Sequence, residues 1–467
     1  MEWFHKRKQT KKQKFDEELK ASGGIVDPLN PSRRGFMSMA GTAAIGAMGV
    51  AGANTLVQLN GGAKADGEPI PIGAMLPFTG WGADDARNFE AAITLAVEEI
   101  NSFGGVLGRP LEVHFEDTKE ITAETVTSAA RRLIDRHEVH AIINGYNTLS
   151  VRAEYDTIAD AGIPYIHDNT QYGHQFAVQD NFDRYYCIFQ DDPSEYYYGS
   201  GLIFFLDELE KLGKWKRPNN KFVLFSGSID YATTIAAAVR DTAPQFGWEL
   251  AIDDVVTQPV DDWGPALVRA READPAIIAA THGFPSDQTG LVTGFAENPT
   301  NSLLYVQYAL QLRAFLDIVK ETGHGVFCST TIGTLQDEIG NVFTKKIRDR
   351  WGQDMSPSVG GQVYDSYYLW AIAACRAGGT GVPYDGIEQN KKVCHFLRES
   401  IYRGVVGTIR FMWGQAATPY PAETNDPSLG MPTIMMQCQD WTKDVVYVGP
   451  SPYDTADWMN PPWVTSG

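Results

Sequence analysis

The sequence predicts an α/β protein built from two successive parallel-sheet halves, and three observations carry that expectation. Its 467 residues exceed what one ordinary hydrophobic core organises, so two domains are the natural prior. Short apolar runs alternate with stretches of helical periodicity, the pattern of strands joined by crossover helices. That rhythm runs to residue 166 and then restarts at Lys221-Phe222-Val223-Leu224-Phe225.

Residues 70–76 are a short apolar run closed by Pro77, which reads as a strand. Phe78-Thr79-Gly80-Trp81-Gly82-Ala83-Asp84-Asp85 is a turn-rich loop whose Asp residues suit a helix N-terminus. Phe89, Ile93, Val97 and Ile100 recur at helical spacing, and Gly104-Gly105 stops the helix. Leu111, Val113 and Phe115 alternate as a strand; Val126, Ala130, Leu133 and Ile134 mark the next helix, followed by a strand at Ala141-Ile142-Ile143. A loop over 144–149, a helix to Ala161 and a strand over 163–166 complete a third unit, and an acidic, aromatic joint covers 185–198. After the restart come a helix through Ala236 and Val239 and strands at 252–256 and 276–280. Parallel sheets bind ligands beyond the carboxyl ends of their strands. The loops to watch are therefore 78–84, 144–150, 168–172, 226–231 and 281–284.

The formal charge of −19 argues against nucleic-acid binding, which needs a Lys/Arg surface. The charge is unevenly placed. Residues 1–65 hold 10 Lys/Arg and 5 Asp/Glu, leaving 29 against 53 in the remainder, a net of −24. A basic head on an acidic body suggests a targeting segment on a soluble domain. Ser32-Arg33-Arg34-Gly35-Phe36-Met37-Ser38 is a twin-arginine pattern, with Arg33 and Arg34 as the signal motif. An uncharged run rich in Ala and Gly follows over 37–59, weakly apolar for a permanent anchor, and Ala63-Lys64-Ala65 fits a small-x-small cleavage site. The expected result is export to the periplasm through the twin-arginine translocase, with mature protein starting near Asp66; a retained anchor is the alternative.

Cys187, Cys328, Cys375, Cys394 and Cys438 are widely scattered and show no zinc spacing. A Cys375–Cys394 disulfide and buried free thiols both remain open. The sequence contains no G-x-S-x-G elbow, H-E-x-x-H, Walker loop or G-x-G-x-x-G opening a helix, and its nine His are dispersed. No enzyme activity, cofactor or metal is expected.

Ile72-Gly73-Ala74-Met75-Leu76-Pro77-Phe78-Thr79-Gly80, then Leu95-Ala96-Val97-Glu98-Glu99-Ile100-Asn101 and Gly104-Gly105-Val106-Leu107-Gly108-Arg109-Pro110, resemble the leucine/isoleucine/valine-binding proteins, the type I periplasmic solute-binding proteins of ABC transporters. Ala161-Gly162-Ile163-Pro164 and Tyr364-Asp365-Ser366-Tyr367-Tyr368 extend the resemblance. It implies two Rossmann-like lobes joined by a three-crossover hinge and closing on a ligand that is passed to a membrane permease. The first lobe would comprise 66–192 with 314–406, the second 193–313 with 407–467. A membrane-partnered ligand sensor and, more remotely, an exported enzyme are the competing functions.

The resemblance places Thr148 where the family binds a ligand carboxylate with a hydroxyl, a place where Asn147 or Thr148 could equally cap a helix. It also puts Trp81 at the cleft and makes Tyr231 and Phe284 second-lobe residues closing on the ligand. Loop position adds Tyr146, Asn169, Gln171 and Tyr172, and Tyr308 completes the set. The family's amino-acid binders pair the α-ammonium with a second-lobe carboxylate. Here that stretch reads Tyr305-Val306-Gln307-Tyr308-Ala309 and holds no acid; Asp168 or Asp230 could substitute. The expected ligand is small and polar or amino-acid-like. The aromatics suit an aromatic, amide-like or cationic guest, because ring faces attract all three.

Overall fold

A computed structural model describes residues 51–80, 82–147, 152–356 and 358–465. Arg33 and Arg34 lie outside them. The end of the uncharged run is helix α1 (Ala51–Asn60), which buries Ala53 and Leu56 in the first core, while Asn60 Nδ2 donates to the carbonyls of Phe103 and Gly105. Among the described residues no helix is long and apolar enough to cross a membrane.

The first half runs β1 (Ile70–Leu76), α2 (Ala83–Ser102), β2 (Leu111–Asp117), α3 (Ala123–Asp135), β3 (Ile142–Asn144), α4 (Glu154–Ala161), β4 (Tyr165–His167), α5 (Tyr172–Asp180), a short α6 (Phe182–Tyr185) and β5 (Ile188–Gln190). Its five strands are parallel in the order β2-β1-β3-β4-β5, with Ile72 opposite Val113 and Ile142 opposite Tyr165. The predicted apolar periodicity of α2 becomes its packed face: Phe89, Ile93, Ala96 and Ile100 are fully buried. Gly105 ends the turn behind it with φ +64, and a Cβ there would lie 2.0 Å from the Arg109 carbonyl oxygen. Only glycine fits so close a backbone approach.

The second half begins with α7 (Tyr196–Lys211), then β6 (Lys221–Gly227), α8 (Asp230–Thr242), β7 (Glu249–Val256), α9 (Gly264–Ala273), β8 (Ile277–Thr281), α10 (Pro285–Glu297), β9 (Leu303–Val306), α11 (Arg313–Val319) and β10 (Phe327–Thr330). After α12 (Glu338–Trp351), α13 (Gly361–Arg376), α14 (Ile387–Arg398) and the hairpin β11 (Ile401–Gly404)–β12 (Gly407–Arg410) come β13 (Pro419–Tyr420), β14 (Met431–Pro432), β15 (Ile434–Gln437) and β16 (Val446–Gly449). The second sheet is ordered β16-β15-β10-β9-β8-β6-β7, and β15 and β16 add antiparallel to its edge. Alternate residues of β6 serve opposite faces: Phe222 and Leu224 join one buried cluster, Val223 and Phe225 the other.

The lobes exchange chain at places the sequence does not mark. Phe315, Leu316 and Val319 of α11 and Cys328 of β10 pack in the second core. First-core packing resumes with Phe343 and Ile347 of α12 and continues past residue 407 through Ile409 and Phe411. Residues 314–335, given to the first lobe by the sequence reading, therefore pack with the second core, and β10 within them pairs with β9 and β15. A single parallel strand with no period of its own carries no label for the sheet it joins. All five cysteines are buried and free, so Cys375 and Cys394 do not pair.

Candidate functional site

In the first sheet the strand order reverses between β1 and β3; in the second it reverses between β6 and β8. Crossovers leave such a point toward opposite faces and open a crevice beyond the strand ends. A cavity of about 300 Å³ lies there, lined from both halves. That is the small end of the range for small-molecule sites.

On the first-half side Asp84 and Asp85 occupy the first turn of α2 and Tyr146 follows β3. The Tyr146 hydroxyl donates to Asp85 Oδ2 at 2.7 Å, and Phe89, one turn further along α2, meets the Tyr146 ring edge-on at 5.4 Å. Gly145 permits this, because a Cβ there would sit 2.6 Å from the Phe89 ring. Asp168 and Thr170 follow β4, with Asp168 only 1% exposed. Neither Asp168 oxygen finds a hydrogen-bond partner among the described residues, and Asp85 Oδ1 is in the same position.

On the other side Tyr231 stands in the first turn of α8, Phe284 follows β8 and Tyr308 follows β9. Gln307 Nε2 donates to the Tyr231 hydroxyl at 3.1 Å, and the Tyr305 hydroxyl donates to Gln307 Oε1 at 2.5 Å. Tyr198, near the start of α7, meets Tyr231 edge-on at 6.1 Å. The Tyr308 hydroxyl reaches across the cleft to Asp85 Oδ2 at 3.5 Å. Leu312 and, from α11, Ala314, Phe315 and the 61% exposed Ile318 add an apolar stretch to the wall.

The electrostatics are one-sided. Asp84, Asp85, Asp168 and Asp287 line the cavity, and no Lys, Arg or His does among the described residues. Burial raises the Asp85 carboxyl to about 6 despite the Tyr146 hydrogen bond. Burial, with the charges of Asp191 and Asp85, holds Asp168 well above the usual carboxylate range. Burial also lifts Asp191, in the crossover after β5, to about 7; its side chain accepts from Ser366 of α13.

Of the residues expected from sequence, Tyr146, Tyr231, Phe284 and Tyr308 line the cavity together. Trp81 and Thr148 lie outside the described residues. Four others fall in the right loops but face inward, outside the cavity lining. The Asn147 amide donates to Asn169 Oδ1 at 2.8 Å, and the Gln171 amide donates to Gln190 Oε1 at 2.8 Å. Tyr172 stacks on Tyr196 at 4.7 Å. The sequence reading did not include Asp85 or Tyr198 in the site, and it named Asp168 only as a substitute acid. An Asp pair opening a helix was the available signal for Asp85.

The profile of a family described as "Periplasmic binding protein" matches residues 69–421. A Leu/Ile/Val-binding protein homolog from Brucella abortus is 26% identical over 219 residues, 45% of this chain. The chain spans about half the length of the curated relatives it matches, 51%. Among solved structures, a candidate branched-chain amino acid ABC transporter from Silicibacter pomeroyi is 44% identical with TM-score 0.82, covering 85% of this chain and all of that one. A Rhodopseudomonas palustris solute-binding protein in complex with benzoate superposes with TM-score 0.64 at 15% identity, covering 84% of this chain and 99% of that one. The Streptococcus pneumoniae protein LivJ, in complex with isoleucine, does so with TM-score 0.63 at 19% identity, covering 81% of this chain and all of that one, a likeness of fold.

Proposed function

The chain belongs to the periplasmic binding protein family, and from that premise we propose that it is the exported solute-binding component of an ABC-type transporter. In this reading it captures a small molecule in the cleft and delivers it to a membrane permease. The cavity lined by strand-end loops of both sheets carries the reading, because a ligand touching both halves stabilises the arrangement that holds them together. The side chains there bind and orient; among the described residues no group of His, Cys, Asp or Glu is placed to hold a metal ion. Tyr146, Tyr231, Phe284 and Tyr308 are the proposed ligand contacts, and Asn147, Asn169, Gln171 and Tyr172 hold the loops beneath them. Trp81 and Thr148 are proposed contacts from sequence position alone. Export by the twin-arginine route belongs to the same proposal and is supported by Arg33-Arg34.

Thermal melts of the full chain against amino acids, amides, urea, aromatic carboxylates and amines test this. A ligand at about 100 times its dissociation constant adds about 2.7 kcal/mol of stability. The expected hit is lost in Tyr231→Ala. Chemical turnover of the hit would overturn the binding-only reading in favour of an enzyme.

A further inference from the structure

We propose that the cleft selects a compact organic cation, with a protonated nitrogen bearing N–H donors at Asp168 and Asp85 and an apolar body against Leu312, Phe315 and Ile318. This deepens the solute-binding reading and rests on it.

Asp168 is the central observation. It is 1% exposed, lines the cavity, and has two oxygens without a partner among the described residues. A buried carboxyl with both acceptors open is costly to keep unless something in the cavity donates to it. Asp85 Oδ1 is open in the same way, while Asp85 Oδ2 is held by Tyr146. Three buried acceptor atoms on two residues of one cavity lining therefore lack donors, and that lining supplies no cationic side chain among the described residues. An ammonium, amidinium or guanidinium group brings both the charge and the N–H bonds. A carboxylate brought to the same place would meet two acids instead.

The rings point the same way. Tyr146, Tyr198, Tyr231 and Tyr308 line the same cavity, Tyr146 and Tyr308 with their hydroxyls on Asp85, and an aromatic wall attracts cations more strongly once water is excluded. The lining is also divided in kind. Asp168 and Asp85 are buried acids, while Leu312, Ala314, Phe315 and Ile318 form an apolar stretch from one short segment of chain. A ligand with charge at one end and hydrocarbon at the other matches that division.

The test is calorimetric titration of the full chain with matched probes. Isopentylamine and 2-phenylethylamine are the cations. Leucine and phenylalanine add a carboxylate, and 4-methylpentanoate and 3-phenylpropanoate retain only the acid. The expected result is that an amine binds at least 10-fold tighter than its amino-acid and acid counterparts. Asp168→Asn should weaken it at least about 30-fold, as loss of one partner of a buried charge pair does. Asparagine matches the carboxyl in shape and cannot ionise, so the melting temperature of the variant should not fall. N-trimethylation of 2-phenylethylamine, which removes every N–H, should cost at least 10-fold. Preference for an amino acid or acid, indifference to Asp168→Asn, or equal binding of the trimethylated probe would each overturn the cation. If leucine or an acid binds and Tyr231→Ala abolishes that binding, the solute-binding reading survives without it. Silence from both amines also overturns the cation, and the wider melt panel then decides the solute-binding reading separately.

Discussion

Replacing Asp85 by Asn should make the empty protein more stable at neutral pH and hardly change it near pH 4. The side chain is 6% exposed and accepts from Tyr146; Asp84 adjoins it, Tyr308 reaches it from the other half, and the charge of Asp85 raises Asp168. Its carboxyl rises from 3.8 to about 6, chiefly through burial. Between those values the folded protein holds a proton that the unfolded chain has released, so stability falls as pH rises. Above pH 6 the full cost is present, and at 1.36 kcal/mol per pH unit the rise amounts to about 3 kcal/mol. Asparagine keeps an oxygen for the Tyr146 hydroxyl and does not ionise. Urea unfolding of both proteins at intervals from pH 4 to 8 reads the difference directly. The advantage of the variant should grow by about 2.5 kcal/mol across that range, most steeply between pH 4 and 6. A gap that stays constant within about 1 kcal/mol would refute the idea that burial of Asp85 costs the empty cleft stability.

Phe89→Ala should destabilise the fold by about 3–5 kcal/mol, since the ring is fully buried, and should weaken ligand binding by freeing Tyr146; unfolding and titration on one preparation measure both. The thiols give a further check: iodoacetamide in urea without reductant should add five alkyl groups by mass, and fewer would reveal a disulfide.

Much of the architecture was legible because parallel strands and crossover helices write two different periods into the chain. Phe89, Ile93 and Ile100 announced the buried face of α2, and Lys221-Phe222-Val223-Leu224-Phe225 announced the second sheet. The rule that ligands sit past strand ends singled out the loops that hold Tyr146, Tyr231 and Phe284, which line the cavity; Tyr308 lies beyond those loops. It could not tell which residues of a loop face the cavity. Asn147 and Asn169 turn inward to tie the β3 and β4 loops together, and Tyr172 turns away to stack on Tyr196. Tyr198 escaped because it stands on a helix, where a strand-end rule does not look. Asp85 read as an ordinary acid of a helix start, since composition alone favours solvent for aspartate. Its burial depends on Tyr146 and Tyr308, which are distant in sequence.

The five solitary thiols have a consequence for where the chain can mature. Each is buried and none is bonded to another, so the free energy of the fold contains no oxidative step. No bond between sulfur atoms has to form or break as the chain passes between reducing and oxidising surroundings, because the thiols are packed as hydrocarbon. That property is compatible with the twin-arginine export proposed above, a route that takes cargo already folded.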